Sequence, residues 1–119
     1  MIAILDTNAL LIPWHFKIDV FEQVDKLGFE PCTIEPVLRE LKALAGGSFK
    51  GAAVALSLSE RCEIIDAAEG SSVDEQLVNT ALKYKAAVVT NDKRLKVRLR
   101  MQSIRVIQLR NRKYLEVDT

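Results

Sequence analysis

Residues 2–8, Ile2-Ala3-Ile4-Leu5-Asp6-Thr7-Asn8, set four consecutive apolar side chains directly before a polar triplet. Such an unbroken run is the signature of a strand buried on both faces rather than of a half-exposed one, whose pattern alternates. Working outward, Ala86 to Thr90 is a second run of this kind and Ile104 to Leu109 a third, with shorter strands expected around Pro31 to Ile34 and Glu63 to Asp66. Helices fill the intervals. Phe16, Val20, Val24 and Leu27 have a helical period that stops at Gly28, a residue suited to a helix C-terminus. Glu35-Pro36 opens a helix that runs to Gly46-Gly47, because proline is tolerated at the first helical position. The Ala- and Leu-rich stretch Ser48 to Arg61 reads as the next. Ser72 with Glu75 three residues later forms a capping box ahead of Val73, Leu77, Ala81 and Tyr84. One segment conflicts with itself: Leu95, Val97, Leu99 and Met101 alternate with Arg94, Lys96, Arg98 and Arg100, a strand period. The residue types favour helix, and parallel strands need a crossover, so the expectation is a short helix. Strands alternating with helices predict a three-layer α/β domain in which helices flank a central, mostly parallel sheet.

A chain of 119 residues and 13.3 kDa suits one such domain, spanning 1–119. Apolar residues make up 49% and charged residues 28%, which excludes a disordered or collagen-like chain. No apolar run approaches the roughly 18 residues of a membrane helix and no basic leader precedes a cleavable apolar stretch, so a cytoplasmic protein with no membrane contact is expected. Cys32 and Cys62 stand apart with no CxxC pair or histidine cluster, and read as reduced core residues. The net charge of +1 conceals an asymmetry. Up to Leu82 there are 6 Lys/Arg against 13 Asp/Glu; from Lys83 onward there are 11 against 3. That division suits a polyanion contact on one side and a concentration of carboxylates on the other, with a solvated charged surface as the plain alternative.

In open parallel sheets functional residues gather beyond the C-terminal ends of the strands. Asp6 closes the first strand, Asp92 lies two residues past Thr90, and Asp74 sits in the first turn of the helix after the third strand. Capping explains any one of them alone. Asp6 fits that explanation least, since no obvious amphipathic helix follows it. Glu40 is the fourth acid: with Val37 taken as zero it lies at about −60°, on the border of the apolar stripe formed by Val37, Leu38, Leu41, Leu44 and Ala45. A boundary glutamate is equally well a surface residue. Crowded carboxylates repel unless a cation neutralises them. All-oxygen ligation suits Mg²⁺ or Mn²⁺. Beside a basic surface, such a site points to phosphodiester hydrolysis by an activated water.

Leu5-Asp6-Thr7-Asn8, Pro36-Val37-Leu38-Arg39-Glu40-Leu41, Val73-Asp74-Glu75 and Val89-Thr90-Asn91-Asp92-Lys93-Arg94-Leu95 together resemble the PIN-domain nucleases, in order and over nearly the whole chain. The resemblance extends to single-domain archaeal PIN proteins, to PIN nucleases that process precursor ribosomal RNA and, more distantly, to VapC-type toxins. It implies a Mg²⁺- or Mn²⁺-dependent endoribonuclease with Asp6, Glu40, Asp74 and Asp92 as the acidic centre and Asp6, Asp74 and Asp92 around the metal. Asn8 and Thr90 match the usual polar supports, and Glu75 stands where many relatives carry a second acid, although the capping box already accounts for it. Lys93, Arg94, Lys96, Arg98 and Arg100 follow Asp92 and are the expected RNA contacts. His15 reads as a surface or packing residue. Implied partners are RNA, an antitoxin or a pre-ribosomal particle, and a second copy packed through Trp14, Phe16 and Phe21, for which burial in the monomer's own core is the equal alternative. Two other functions remain open at this point: a non-catalytic RNA-binding or ribonucleoprotein assembly module, and a phosphotransfer domain using Asp6 as nucleophile.

Overall fold

The computed structural model describes residues 1–118. Ile2–Leu5 forms strand β1, and Ala3, Ile4 and Leu5 are fully buried, as their unbroken apolar run requires. The chain then builds helices α1 (Thr7–Leu10), α2 (Ile12–Phe16) and α3 (Val20–Lys26), strand β2 (Glu30–Ile34), and helices α4 (Glu35–Ala45) and α5 (Lys50–Leu58). Strand β3 (Glu63–Ile65), helix α6 (Val73–Tyr84), strand β4 (Ala87–Val89), helix α7 (Lys93–Met101) and strands β5 (Val106–Arg110) and β6 (Tyr114–Asp118) complete it. The six strands lie in one sheet in the order β3-β2-β1-β4-β5-β6. The first five are parallel, and β6 returns antiparallel to β5. Helices cover both faces, giving the expected three-layer α/β architecture.

Strand order locates the site. From β1 the chain winds outward through β2 and β3, then returns to place β4 on the other side of β1, with Leu5 beside Val89. Two crossovers therefore leave in opposite directions between β1 and β4. At such a switch point the loops diverge and open a crevice beyond the strands' C-terminal ends. Asp6 and Thr90 sit at that opening.

The structure corrects the expected elements in three places. The single helix expected through Phe16 and Leu27 is divided: α1 and α2 follow β1 at once, Lys17 adopts a left-handed conformation (φ 55°), and Asp19 then caps α3 by accepting from the Glu22 N–H at 3.0 Å. An αL residue ends a helix, so the apolar spacing across it belongs to two elements. The final strand β6 was not expected. Its hairpin turns through Asn111 and Arg112, with φ 53° and 56°, a left-handed pair that usually announces itself through glycine. The strand expected from Ile104 begins at Val106, because the Ile104 N–H still bonds back to Leu99 and Ser103 is left-handed (φ 57°). The ambiguous segment is the helix α7: Leu95 and Leu99, four apart, are fully buried, whereas Val97 and Met101 are exposed. Phe21 belongs to the core, while Trp14 and Phe16 are exposed. Both cysteines are buried and unbridged, and burial pushes their thiols up to about 11 and 12.

Candidate active site

Asp6 is buried at the end of β1, only 5% exposed. Contrary to the expectation, it does cap a helix: its Oδ1 accepts from the Ala9 N–H at 2.7 Å and so starts α1. Its other oxygen accepts the hydroxyl of Thr90, which has itself taken the Asp92 N–H at 3.0 Å. A chain of hydrogen bonds thus joins the ends of β1 and β4. Burial raises the Asp6 carboxyl from its ordinary value to about 7; the Thr90 and Ala9 bonds oppose this rise, and the charges of Asp92 and Asp74 add to it. Asp92 caps α7 in turn, its Oδ1 accepting from the Leu95 N–H at 3.0 Å. Asn91 beside it accepts from the Leu109 N–H at 2.9 Å, pinning this loop to β5.

Glu40 reaches the same crevice from α4. Its helix buries Val37, Leu38 and Leu41, which turns Glu40 outward toward α1. There Thr7 donates its hydroxyl to Glu40 Oε1 at 2.6 Å. Asp74 enters from the first turn of α6, where Ser72 provides the cap by accepting from the Glu75 N–H at 3.1 Å. The pocket so formed has a volume of about 480 Å³, and its lining includes Asp6, Asn8, Glu40, Asp74 and Asp92. All four expected acids share it, with Asn8 at its rim and Thr90 beneath. Glu75 does not line it; its carboxylate takes the Ser71 hydroxyl at 2.8 Å, securing the turn before α6. Thr7 is the residue that sequence reading missed. It stands inside the Asp6-Thr7-Asn8 triplet, but its partner is 33 positions away and becomes visible only once α4 packs on α1.

The expected RNA contacts divide by helix flank. Lys96 donates to Gln108 at 2.9 Å and Arg100 pairs with Asp118, so both turn toward the β5–β6 hairpin. Lys93, Arg94 and Arg98 are exposed and make no ion pair among the described residues. Lys93 and Arg94 stand in the first turn of α7, directly after Asp92. His15 is exposed and stacks on Phe49, with ring centroids 6.0 Å apart, away from the acids.

The donor set suits a hard divalent cation in kind, since the side-chain donors are carboxylate, hydroxyl and amide oxygens. Burial and the charges of Asp92 and Asp74 raise the Asp6 carboxyl, and a cation among these acids would oppose that rise. As the side chains stand, no three His, Cys, Asp or Glu among the described residues form a ready metal cluster. Mg²⁺ does not require one, because it is commonly held by one or two carboxylates, with water and substrate phosphate completing the sphere.

A mostly parallel sheet with four acids gathered at its switch point defines a class of α/β proteins with an acidic active-site crevice. Residues 3–112 match the family model described as a PIN like domain, and the chain belongs to that family. It is 34% identical over 121 residues to Ribonuclease VapC9 of Archaeoglobus fulgidus, an alignment covering 98% of this chain and 88% of the relative. The structure is similar to that of the PIN domain endonuclease Utp24, with a TM-score of 0.82 and 30% identity over 98% of this chain and 90% of the other. VapBC2 from Rickettsia felis, solved bound to a DNA fragment from their promoter, shares the fold with a TM-score of 0.72 at 20% identity, covering 92% of this chain and 100% of that one.

Proposed function

We propose that residues 1–119 act as one nuclease domain, a Mg²⁺- or Mn²⁺-dependent endoribonuclease that hydrolyses phosphodiester bonds to 3′-hydroxyl and 5′-phosphate ends. The observation that carries this reading is the convergence of Asp6, Glu40, Asp74 and Asp92 from four separate elements on one pocket, with exposed Lys93 and Arg94 following Asp92 in the first turn of α7. Similarity to Ribonuclease VapC9 supports RNA as the substrate, and similarity to the endonuclease Utp24 supports internal cleavage.

Asp6, Asp74 and Asp92 would hold the ion, directly or through its water molecules. When bound, it supplies Lewis acidity at the reacting phosphate and lowers the pKa of the attacking water. The chain's own residues set the stage: Thr90 and the Ala9 N–H fix both oxygens of Asp6, the Leu95 N–H fixes Asp92, and Thr7 fixes Glu40. Lys93 and Arg94 hold the neighbouring phosphate. The water gives up one proton to solvent as its oxygen bonds to phosphorus and the P–O3′ bond breaks, and the departing 3′-oxygen takes a proton from solvent, so that one proton passes overall from the water to the leaving group. The RNA 2′-hydroxyl plays no part, so cyclic phosphates are not formed.

The protein works in the cytoplasm, either in RNA maturation within a pre-ribosomal particle or as the toxin partner of an antitoxin. Growth arrest on expression alone, relieved by a neighbouring small gene, marks the second role. The central test incubates the purified protein with structured RNA in Mn²⁺, Mg²⁺ or chelator, beside Asp6→Asn and Asp92→Asn. Internal cuts with 5′-phosphate ends are expected in metal, none in chelator, and at least a hundredfold loss in either variant. Wild-type rates in both variants, or 2′,3′-cyclic ends, would exclude the mechanism. RNA bound but never cut would favour the assembly module.

A further inference from the structure

We infer that the outer β5–β6 hairpin and the flank of α7 facing it bind the single-stranded RNA as it leaves the acidic pocket. The identity of that strand rests on the proposed function, whereas the site itself rests on position, rigidity and charge.

Position comes first. Because β1, β4 and β5 are parallel, Arg110 ends β5 at the same C-terminal end of the sheet as Asp6 and Asp92. The Asn91 bond to the Leu109 N–H ties the hairpin directly to the loop that carries Asp92. Rigidity comes next. The tip is fixed by its left-handed pair and by the Lys113 N–H bond to Arg110 at 3.0 Å. The Gln23 amide braces it from α3, donating to the Lys113 carbonyl at 3.2 Å and accepting from the Leu115 N–H at 2.6 Å. A side chain 90 positions away holds the backbone of an exposed turn on both sides of Tyr114.

Charge and shape then name the ligand. Arg112 and Lys113 project from the tip, exposed and without an acidic partner among the described residues. Tyr114 is 43% exposed. It lies on the strand face shared with Glu116 and Asp118, the face turned toward α7, as the Arg100–Asp118 pair shows. On this face Arg100 pairs with Asp118 and Arg110 with Glu116, which leaves Lys93 and Lys96 of α7 as the cations in excess. Burial, together with the neighbouring charges of Arg100, Arg110 and Lys93, lowers the Lys96 ammonium from its ordinary value, although Asp118 opposes the shift. An exposed ring flanked by Arg112 and Lys113, next to a helix face with lysines in excess, suits a phosphodiester backbone whose bases stack as it passes.

The test measures binding apart from cleavage. A labelled single-stranded oligoribonucleotide is titrated in chelator at several salt concentrations against wild type, R112Q/K113Q, Tyr114→Ala and Tyr114→Phe. The tip double variant should flatten the log–log salt slope by about 1.4, since each phosphate contact on a single strand contributes about 0.7. Tyr114→Ala should weaken binding about tenfold and Tyr114→Phe should preserve it, because stacking needs the ring and not the hydroxyl. K83Q/K85Q, at the opposite, N-terminal end of the strands, should leave the slope unchanged, and thermal midpoints show that each variant is folded. An unchanged slope in R112Q/K113Q, an equal loss in K83Q/K85Q, or binding only to an acidic peptide would overturn the inference. If the slopes behave as expected but no metal supports cleavage, the nuclease reading fails and the RNA site stands.

Discussion

Asp6 closes a buried strand, caps α1, accepts from Thr90 and lies close enough to Asp74 and Asp92 to feel their charge. A carboxyl whose pKa is raised on folding keeps its proton in the native state over a range where the unfolded chain has lost it. Stability therefore falls as pH rises from the ordinary value of 3.8 toward about 7, by up to about 1.4 kcal/mol per pH unit, and is flat again above. In chelator, the thermal midpoint of wild type should decline across that window relative to Asp6→Asn, and Mn²⁺ should restore it at pH 7 by binding the ionised form. Parallel pH profiles for the two proteins would show that another group is responsible. Asp6 was legible in the sequence as the acid after a buried strand. Its capping role was not, because α1 is a single four-residue turn with too few positions to show a period.

Between α2 and α5, Gly51 is buried against two rings. A Cβ there would lie 2.6 Å from Phe49 and 2.7 Å from Trp14. Gly51→Ala should displace Trp14, which packs edge-on to Phe49 at 6.4 Å, and cost about 1 kcal/mol or more from overpacking. Trp14 is the chain's one tryptophan, so its fluorescence maximum reports the displacement directly; an unshifted spectrum with an unchanged midpoint would refute this account of the packing. At the same scale, α7 shows why a period can mislead. Its alternation of Leu, Val and Met with Lys and Arg matched a strand, yet a helix needs only Leu95 and Leu99 inside, and the exposed Val97 and Met101 supplied the false signal.

Across the whole molecule, the acid-rich first part of the chain provides Asp6, Glu40 and Asp74, while the basic remainder supplies Asp92 and the cations that follow it. The fold interleaves the two by inserting β4 beside β1. Among the described residues no helix is long and apolar enough to cross a membrane. We propose that a second copy would pack through Trp14 and Phe16, since Phe21 is occupied in the core. Light scattering at micromolar concentration should give a dimer mass that reverts to monomer in Trp14→Ser/Phe16→Ser; a monomer in wild type removes the dimer.

By itself the sequence determined the alternation of strands and helices, because burial on both faces, on one stripe or on neither leaves a local record in the spacing of apolar residues. It also determined which four acids lie at element ends or at a stripe's edge. Only the tertiary structure decided that they meet. Thr90 reaches Asp6 across 84 positions and Thr7 reaches Glu40 across 33, and no local period records such contacts. The same holds for β6 and its brace from Gln23: a turn without glycine and a hydrogen bond to backbone leave no pattern in composition, and exist only once α3 and the sheet have packed.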